Sequence, residues 1–250
     1  MAMKILVTGA AGRVGIALRK ELAAAGHRLR LVDVRPIKAK KGESLVADIT
    51  DPATVRKIMK GIDAVVHLAY GWLSKDEGMN IARSHDVNLK ATHLLLWEAA
   101  EAKVKRFIFT SSLSVFGRTD HLVRRKFWNE RSIPHPCEHY GFTKLLGEEA
   151  CRYAARVHDL SVIVLRLCYV RNPEEWEEIR RYHPKTPFQK RGRAMATHVD
   201  DVARSIHRAL RIHHRGFELI HVAADSPGRV TSIRRARKIL GFQPKHRIDD

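Results

Sequence analysis

Short apolar runs alternate along the chain with longer stretches whose apolar residues recur at helical spacing. Lys4–Thr8, Leu29–Val34, Ala64–Ala69, Arg106–Ser111, Ser161–Leu167 and Phe217–Ala223 read as strands. Val14–Ala25, Pro52–Met59, Val87–Ala102, Tyr140–Val157, Asp200–Arg211 and Ile233–Leu240 read as helices. Gly26 and Gly241 are the expected stops of two of these helices. Asp51 is the expected N-cap of the second and Asp200 a cap for the fifth. Runs without polar alternation, such as Val162–Leu165, indicate strands covered on both faces. The strand–helix alternation therefore indicates a parallel sheet between two helical layers. Three stretches, 70–86, 117–139 and 169–196, fit no element. Long loops at the carboxyl ends of strands build the ligand site in such sheets, so the substrate pocket is expected among these three. The expected fold class is α/β, a doubly wound parallel sheet with a core over 1–168. Residues 169–250 are expected to form a small carboxyl-terminal substrate-binding portion, interleaved with the last core elements.

Composition narrows the picture. At 250 residues the chain suits one large α/β unit. Cys137, Cys151 and Cys168 are an odd number without a C-x-x-C pair, which argues against a disulfide framework and fits a reducing cytoplasm. The longest apolar runs fall short of the ~20 residues that span a bilayer, and the amino terminus does not read as a signal peptide. The net charge of +19 favours anionic partners. Its carriers are dispersed, with small clusters at Lys38–Lys41, Arg124–Lys126, Lys190–Arg193 and Arg234–Lys238. A solvated basic surface is therefore expected rather than a nucleic-acid interface. No metal is expected.

The first strand runs into Gly9-Ala10-Ala11-Gly12-Arg13-Val14-Gly15 and then a helix. Glycines at this spacing permit a tight strand-to-helix turn (Gly9), backbone approach to a pyrophosphate (Gly12) and close helix–sheet packing (Gly15). The helix N-terminus would present free N–H groups to the phosphates. Asp33 ends the second strand, 18 residues after Gly15. A carboxylate there accepts bonds from a ribose 2′-hydroxyl and repels a 2′-phosphate, favouring NAD over NADP. Arg13 and Arg35 weigh the other way.

Tyr140 and Lys144 stand four residues apart, on one face of a helix. An ordinary phenol, with a pKa of about 10, is a poor base near neutrality. A neighbouring ammonium is expected to lower that value, letting Tyr140 take the proton of a substrate hydroxyl.

With these motifs in order, the chain resembles the extended short-chain dehydrogenase/reductase group, the NAD-dependent epimerase/dehydratase family, from about Lys4 to Pro244. Further matches are Asp48-Ile49, His67-Leu68-Ala69, Asn88 in Val87-Asn88-Leu89-Lys90-Ala91-Thr92, Ser111-Ser112-Leu113-Ser114-Val115-Phe116-Gly117, and His198-Val199-Asp200-Asp201-Val202-Ala203. The resemblance implies a Rossmann-type fold. It implies Ser112, Tyr140 and Lys144 as catalytic residues, with Ser112 bonding the reacting oxygen and Lys144 holding the nicotinamide ribose. For the cofactor it implies Gly9, Ala11, Gly12, Arg13, Val14, Gly15, Asp33, Asp48, Ile49, Leu68, Ala69, Asn88 and Ser111, together with Tyr140 and Lys144. Asn88 is equally readable as a cap or core amide, and Ser111 as structural. His67 reads as packing. The family's nucleotide-sugar enzymes carry an Asn and Tyr-Gly-Pro where this chain has Cys168-Tyr169-Val170-Arg171-Asn172-Pro173, and they have a larger substrate portion. The shape looks more like the compact uronate dehydrogenases. Tyr70, Ser112, Arg171 and Arg193 are therefore candidate substrate residues, the arginines for an anionic group.

The expected activity is NAD-dependent oxidation of a small sugar or sugar acid. Alternatives are a nucleotide-sugar epimerase or dehydratase that returns the hydride, and a remote one is an RNA- or polyanion-binding protein. The resemblance also implies a homodimer built on the helices at about 88–102 and 140–157.

Overall fold

The computed structural model describes residues 2–39, 42–71, 80–117, 127–182, 185, 189–190 and 194–248. Seven parallel strands form the main sheet: β1 (Lys4–Thr8), β2 (Arg28–Asp33), β3 (Glu43–Val46), β4 (Ala64–His67), β5 (Arg106–Ser112), β6 (Val162–Leu167) and β9 (Phe217–Val222). Their order is β3-β2-β1-β4-β5-β6-β9, so the chain reverses direction of growth between β3 and β4, beside β1. One face packs on α1 (Arg13–Ala24), α7 (Val199–Arg211) and α8 (Arg234–Leu240) through Leu18, Leu22, Ile206 and Leu240. The other packs on α2 (Pro52–Met59), α4 (Ala91–Glu101) and α5 (His139–Val157) through Ile58, Leu95, Leu96 and Ala154. The apolar strands β1, β4 and β6 are buried on both sides, as their composition requires.

Several boundaries differ from the sequence reading. The helix expected from Val87 is preceded by α3 (Ile81–His85) and a π-helical turn over Asp86–Lys90, which lie partly within the unassigned 70–86 stretch. Within 169–196 lie β7 (Val170–Arg171) and α6 (Pro173–Arg181), and β8 (Thr197–His198) follows directly after, pairing with β7 in parallel. Helix α6 starts with a capping box: Asn172 Oδ1 accepts from Glu175 N at 2.8 Å and Glu175 returns a bond to Asn172 N. Helix α7 is capped by the His198 ring, whose Nδ1 accepts from Asp200 N at 3.2 Å. Asp200 is thus not the cap; it sits in the first turn. Trp176, Ala196, Ala224 and Ile248 close a small satellite core there.

The sheet edges are short or occupied. Three of the four residues of β3 are exposed, and its Glu43 pairs with Arg30 at 2.8 Å. On β9, the His221 N–H donates to Glu130 Oε1 at 3.0 Å.

Two imidazoles are sealed within this framework. His67 sits between Thr8 (2.7 Å) and Thr92 (2.9 Å). Thr92 spends its proton on Asn88 O, so His67 Nε2 donates to Thr92 and Nδ1 accepts from Thr8. Burial, with Lys144 adding to it, drives the His67 pKa down to about 3. His221, buried near Arg166, is also driven to about 3. Both are neutral in the fold but take up a proton near pH 6.5 once unfolded, so acid favours the unfolded chain. Each should remove about 1.4 kcal/mol of stability per pH unit between roughly pH 6 and pH 4. Urea midpoints across that range check this, and a level stability profile would contradict it.

Candidate active site

The glycine turn joins β1 to α1 with no room for side chains. Gly9 holds φ at +72°, and a Cβ there would lie 2.6 Å from Ala69 N; one at Gly15 would lie 2.6 Å from Gly9 O. Gly12 caps α1 without a side-chain bond, and no acidic residue occupies the first turn. The N–H groups of Arg13, Val14 and Gly15 therefore precede any intrahelical partner and face a bare backbone surface. This is what an anionic phosphate needs. Asp33, 7% exposed, accepts from Ala11 N at 2.9 Å and from Arg35 N and Nε at 3.0 and 3.3 Å. Asp48 accepts from Thr50 N and Oγ1 and from Arg83 at 2.9 Å. Burial alone would raise its carboxyl, but these bonds together hold it below the usual range. Ile49 and Leu68 are core residues, and Leu68 lies beside the glycine turn. Arg13 points elsewhere: its guanidinium donates to Val170 O at 2.5 Å and to Glu175 at 2.8 Å.

The wall continues from Gly9 through Ala69 to Tyr70, whose ring meets the Tyr140 ring edge-on at 5.8 Å. The Tyr140 hydroxyl faces Ser112 at the end of β5, whose Oγ accepts from Ser114 N at 3.1 Å. Lys144 is 3% exposed; its Nζ donates to Thr110 O at 2.9 Å and lies 5.9 Å from the Tyr140 ring centre and 4.9 Å from that of Phe109. The structure thus brings Ser112, Tyr140, Lys144 and Tyr70 together beside the glycine turn. It corrects the expected electrostatics. Burial pushes the Tyr140 phenol above its ordinary value, nearby Tyr70 adds to this, and the Ser112 bond offsets only part. Burial also pulls Lys144 down to about 8, against the opposing pull of Cys151 and Glu148. Desolvation, not the ammonium, dominates the phenol.

Asn88 is a buried brace in the π-turn. Its amide accepts from Gly71 N at 2.7 Å and donates to Gly71 O, Ser84 and Thr143, holding the segment after Tyr70 against α5. Ser111 turns away from the turn and donates to Glu148 at 2.5 Å. Arg171 is 3.9 Å from Glu175 and lies over the Tyr169 ring. Arg193 lies outside the described residues, as do 72–79, 118–126 and most of 183–193. The sequence reading missed Glu148 and Arg166. Their signals were a charge inside an otherwise apolar strand and the four-residue recurrence Tyr140, Lys144, Glu148.

Comparison with known proteins agrees with this geometry. The sequence profile described as the NAD dependent epimerase/dehydratase family matches residues 5–223. The chain is 29% identical to the NAD-dependent glucose-6-phosphate dehydrogenase of Haloferax volcanii over 98% of this chain and 94% of that one. It is 26% identical to the uronate dehydrogenase of Pseudomonas syringae pv. tomato, covering 89% of this chain and 75% of that one. Among solved structures, a short-chain dehydrogenase/reductase superfamily protein from Agrobacterium tumefaciens with bound NAD superposes with a TM-score of 0.80, at 25% identity over 98% of this chain and 94% of that one.

Gly15→Ala should force the glycine turn open, because its Cβ would meet Gly9 O and Ala10 at 2.6–2.7 Å. NAD affinity by calorimetry should fall at least about tenfold while the fold persists. Unchanged affinity would remove the turn from the dinucleotide site.

Proposed function

Because the chain belongs to the NAD dependent epimerase/dehydratase family, we propose that it oxidises a hydroxyl of a small sugar or sugar acid with NAD. The observation that carries this reading is the meeting of Ser112, Tyr140 and buried Lys144, on the wall shared with the glycine turn. When bound, NAD supplies the hydride acceptor. The Gly9–Gly15 turn would hold the pyrophosphate and Asp33 a ribose hydroxyl. Arg35 rests on Asp33 and is partly neutralised by it, which supports NAD over NADP. Ser112 donates to the reacting oxygen, the Lys144 ammonium stabilises the Tyr140 phenolate, and that phenolate takes the hydroxyl proton and becomes the neutral phenol. Because Tyr140 is raised and Lys144 lowered to about 8, the oxidation rate should climb with pH and then fall as Lys144 discharges. The compact portion formed by β7, α6 and β8 supports a small substrate, and the dehydrogenase relatives act by name on a sugar phosphate and a uronate.

A homodimer through α4 and α5 belongs to the same reading. Leu95 and Leu96 are spent on the core, but Trp97, Phe142, Tyr153 and Val157 expose apolar surface there. Among the described residues no helix is long and apolar enough to cross a membrane. Light scattering should give twice the chain mass, and Trp97→Glu should shift it toward one; a monomeric parent protein contradicts the dimer.

The activity is tested by absorbance of reduced nicotinamide with NAD and a panel of free hexuronic acids, neutral sugars and sugar phosphates. Turnover should appear with at least one member, and Tyr140→Phe should reduce kcat by about 10²–10⁴-fold. Isomerised nucleotide sugar formed without net NADH would replace the dehydrogenase reading by an epimerase.

A further inference from the structure

Beneath the candidate active site lies a pair of opposite charges fully removed from water. Glu148 on α5 has no exposed surface, and Arg166 on β6 is 2% exposed. They meet in a two-pronged bridge, Arg166 Nε to Glu148 Oε1 at 2.8 Å and Nη2 to Oε2 at 2.6 Å. Glu148 Oε1 also accepts the Ser111 hydroxyl at 2.5 Å. Arg166 stands in register with Ser111, so the next strand pair is Ser112 and Leu167. The network thus pins β5, β6 and α5 one residue below Ser112 and one helical turn beyond Lys144. Two consecutive residues of β5 are each held by a residue of α5, Thr110 by Lys144 and Ser111 by Glu148, and the next, Ser112, faces Tyr140.

A buried ion pair is a costly way to hold two strands and a helix together, and apolar residues of similar volume often do it as well. Its position suggests another use. Lys144 must keep its ammonium in a site that strips it of water. The groups facing it are Tyr140, Glu148 and Cys151 on its own helix, Tyr70 after β4, His67 on β4, and the Thr110 carbonyl on β5, with Arg166 reaching it only across Glu148. Glu148 is the one carboxylate among them. We infer that Glu148 is a positioning residue: through its bond to Ser111 it sets Ser112 against Tyr140, and through its charge it keeps Lys144 protonated at working pH. Arg166 keeps the carboxylate aimed through its two-pronged bridge. This inference rests on the reading of Ser112, Tyr140 and Lys144 as the reacting set.

The test uses Glu148→Gln, Glu148→Asp and the neutral pair Glu148→Gln/Arg166→Met in the full chain. Two readouts are followed against pH: NADH formation with the best substrate, and the ¹³Cε resonance of Lys144, assigned with Lys144→Arg. The second needs no substrate. In Glu148→Gln the Lys144 titration should move down by about one pH unit, a tenfold loss of ammonium above the midpoint. The alkaline limb of the rate should move with it, and Glu148→Asp should move both back. If Glu148→Gln does not fold, the double variant carries the measurement, with a shift in the same direction. A folded variant whose Lys144 titrates as in the parent chain overturns the inference. A shifted Lys144 titration with no NADH from any substrate supports the inference and removes the proposed reaction instead.

Discussion

Helix α5 presses its own bare backbone, at two glycines, against the turn that follows β5 and against a ring carried by β5. A Cβ at position 141 would come within 2.2 Å of the Ser114 carbonyl, and one at 147 within 2.6 Å of the Phe109 ring. The helix can neither rise nor slide without driving those groups apart, because packed interiors do not yield smoothly. Tyr140, Lys144 and Glu148 occupy the same helical face between and beside these glycines. Their reach to Ser112, Thr110 and Ser111 is therefore set by how closely these two glycines let the helix approach. Everything chemical in the site depends on that spacing.

The same closeness has an electrostatic result. Drawing α5 onto the sheet removes water from a phenol, an ammonium, a carboxylate and an imidazole at once. Each responds in the direction that favours its neutral form unless a partner intervenes. Tyr140 rises, Lys144 falls to about 8 and His67 falls to about 3. Glu148 and Arg166 face each other in a closed, two-pronged pair. The site is thus poised by desolvation first and by charge pairing second, and its chemistry is expected to be more sensitive to pH than an exposed tyrosine–lysine pair would be.

Much of this was legible in the chain. The glycine spacing, Asp33 at a strand end and the Tyr140–Lys144 interval are local signals whose physical requirements are met within a few residues. The strands β4 and β6 announce themselves because burial on both faces leaves them mostly apolar, and β1 and β5 through the apolar runs Ile5–Val7 and Phe107–Phe109. What escaped was non-local or too short to carry a period. Strand β3 is four mostly exposed residues, and β7 and β8 are two residues each, held by pairing across the chain. Helix α6 was hidden by charge, although Asn172-Pro173-Glu174-Glu175 is a start signal in plain view. The direction of the Tyr140 shift depends on enclosure, which spacing alone does not reveal. The divergence of Arg13 toward Glu175 likewise requires knowing that β7 and α6 come to rest beside the glycine turn.

The two margins of the sheet bear on how copies of this chain can meet. An open parallel sheet presents unpaired backbone groups along its outermost strands, which ordinarily invite a strand from another molecule. Here one margin is a four-residue strand carrying Glu43, already drawn to Arg30, and the other has an amide, that of His221, engaged by Glu130. Neither offers a long, flat ladder to extend. Runaway strand addition is thereby discouraged, and the proposed pairing of two copies would fall to side chains on the helical layers, where geometry can close an assembly instead of propagating it.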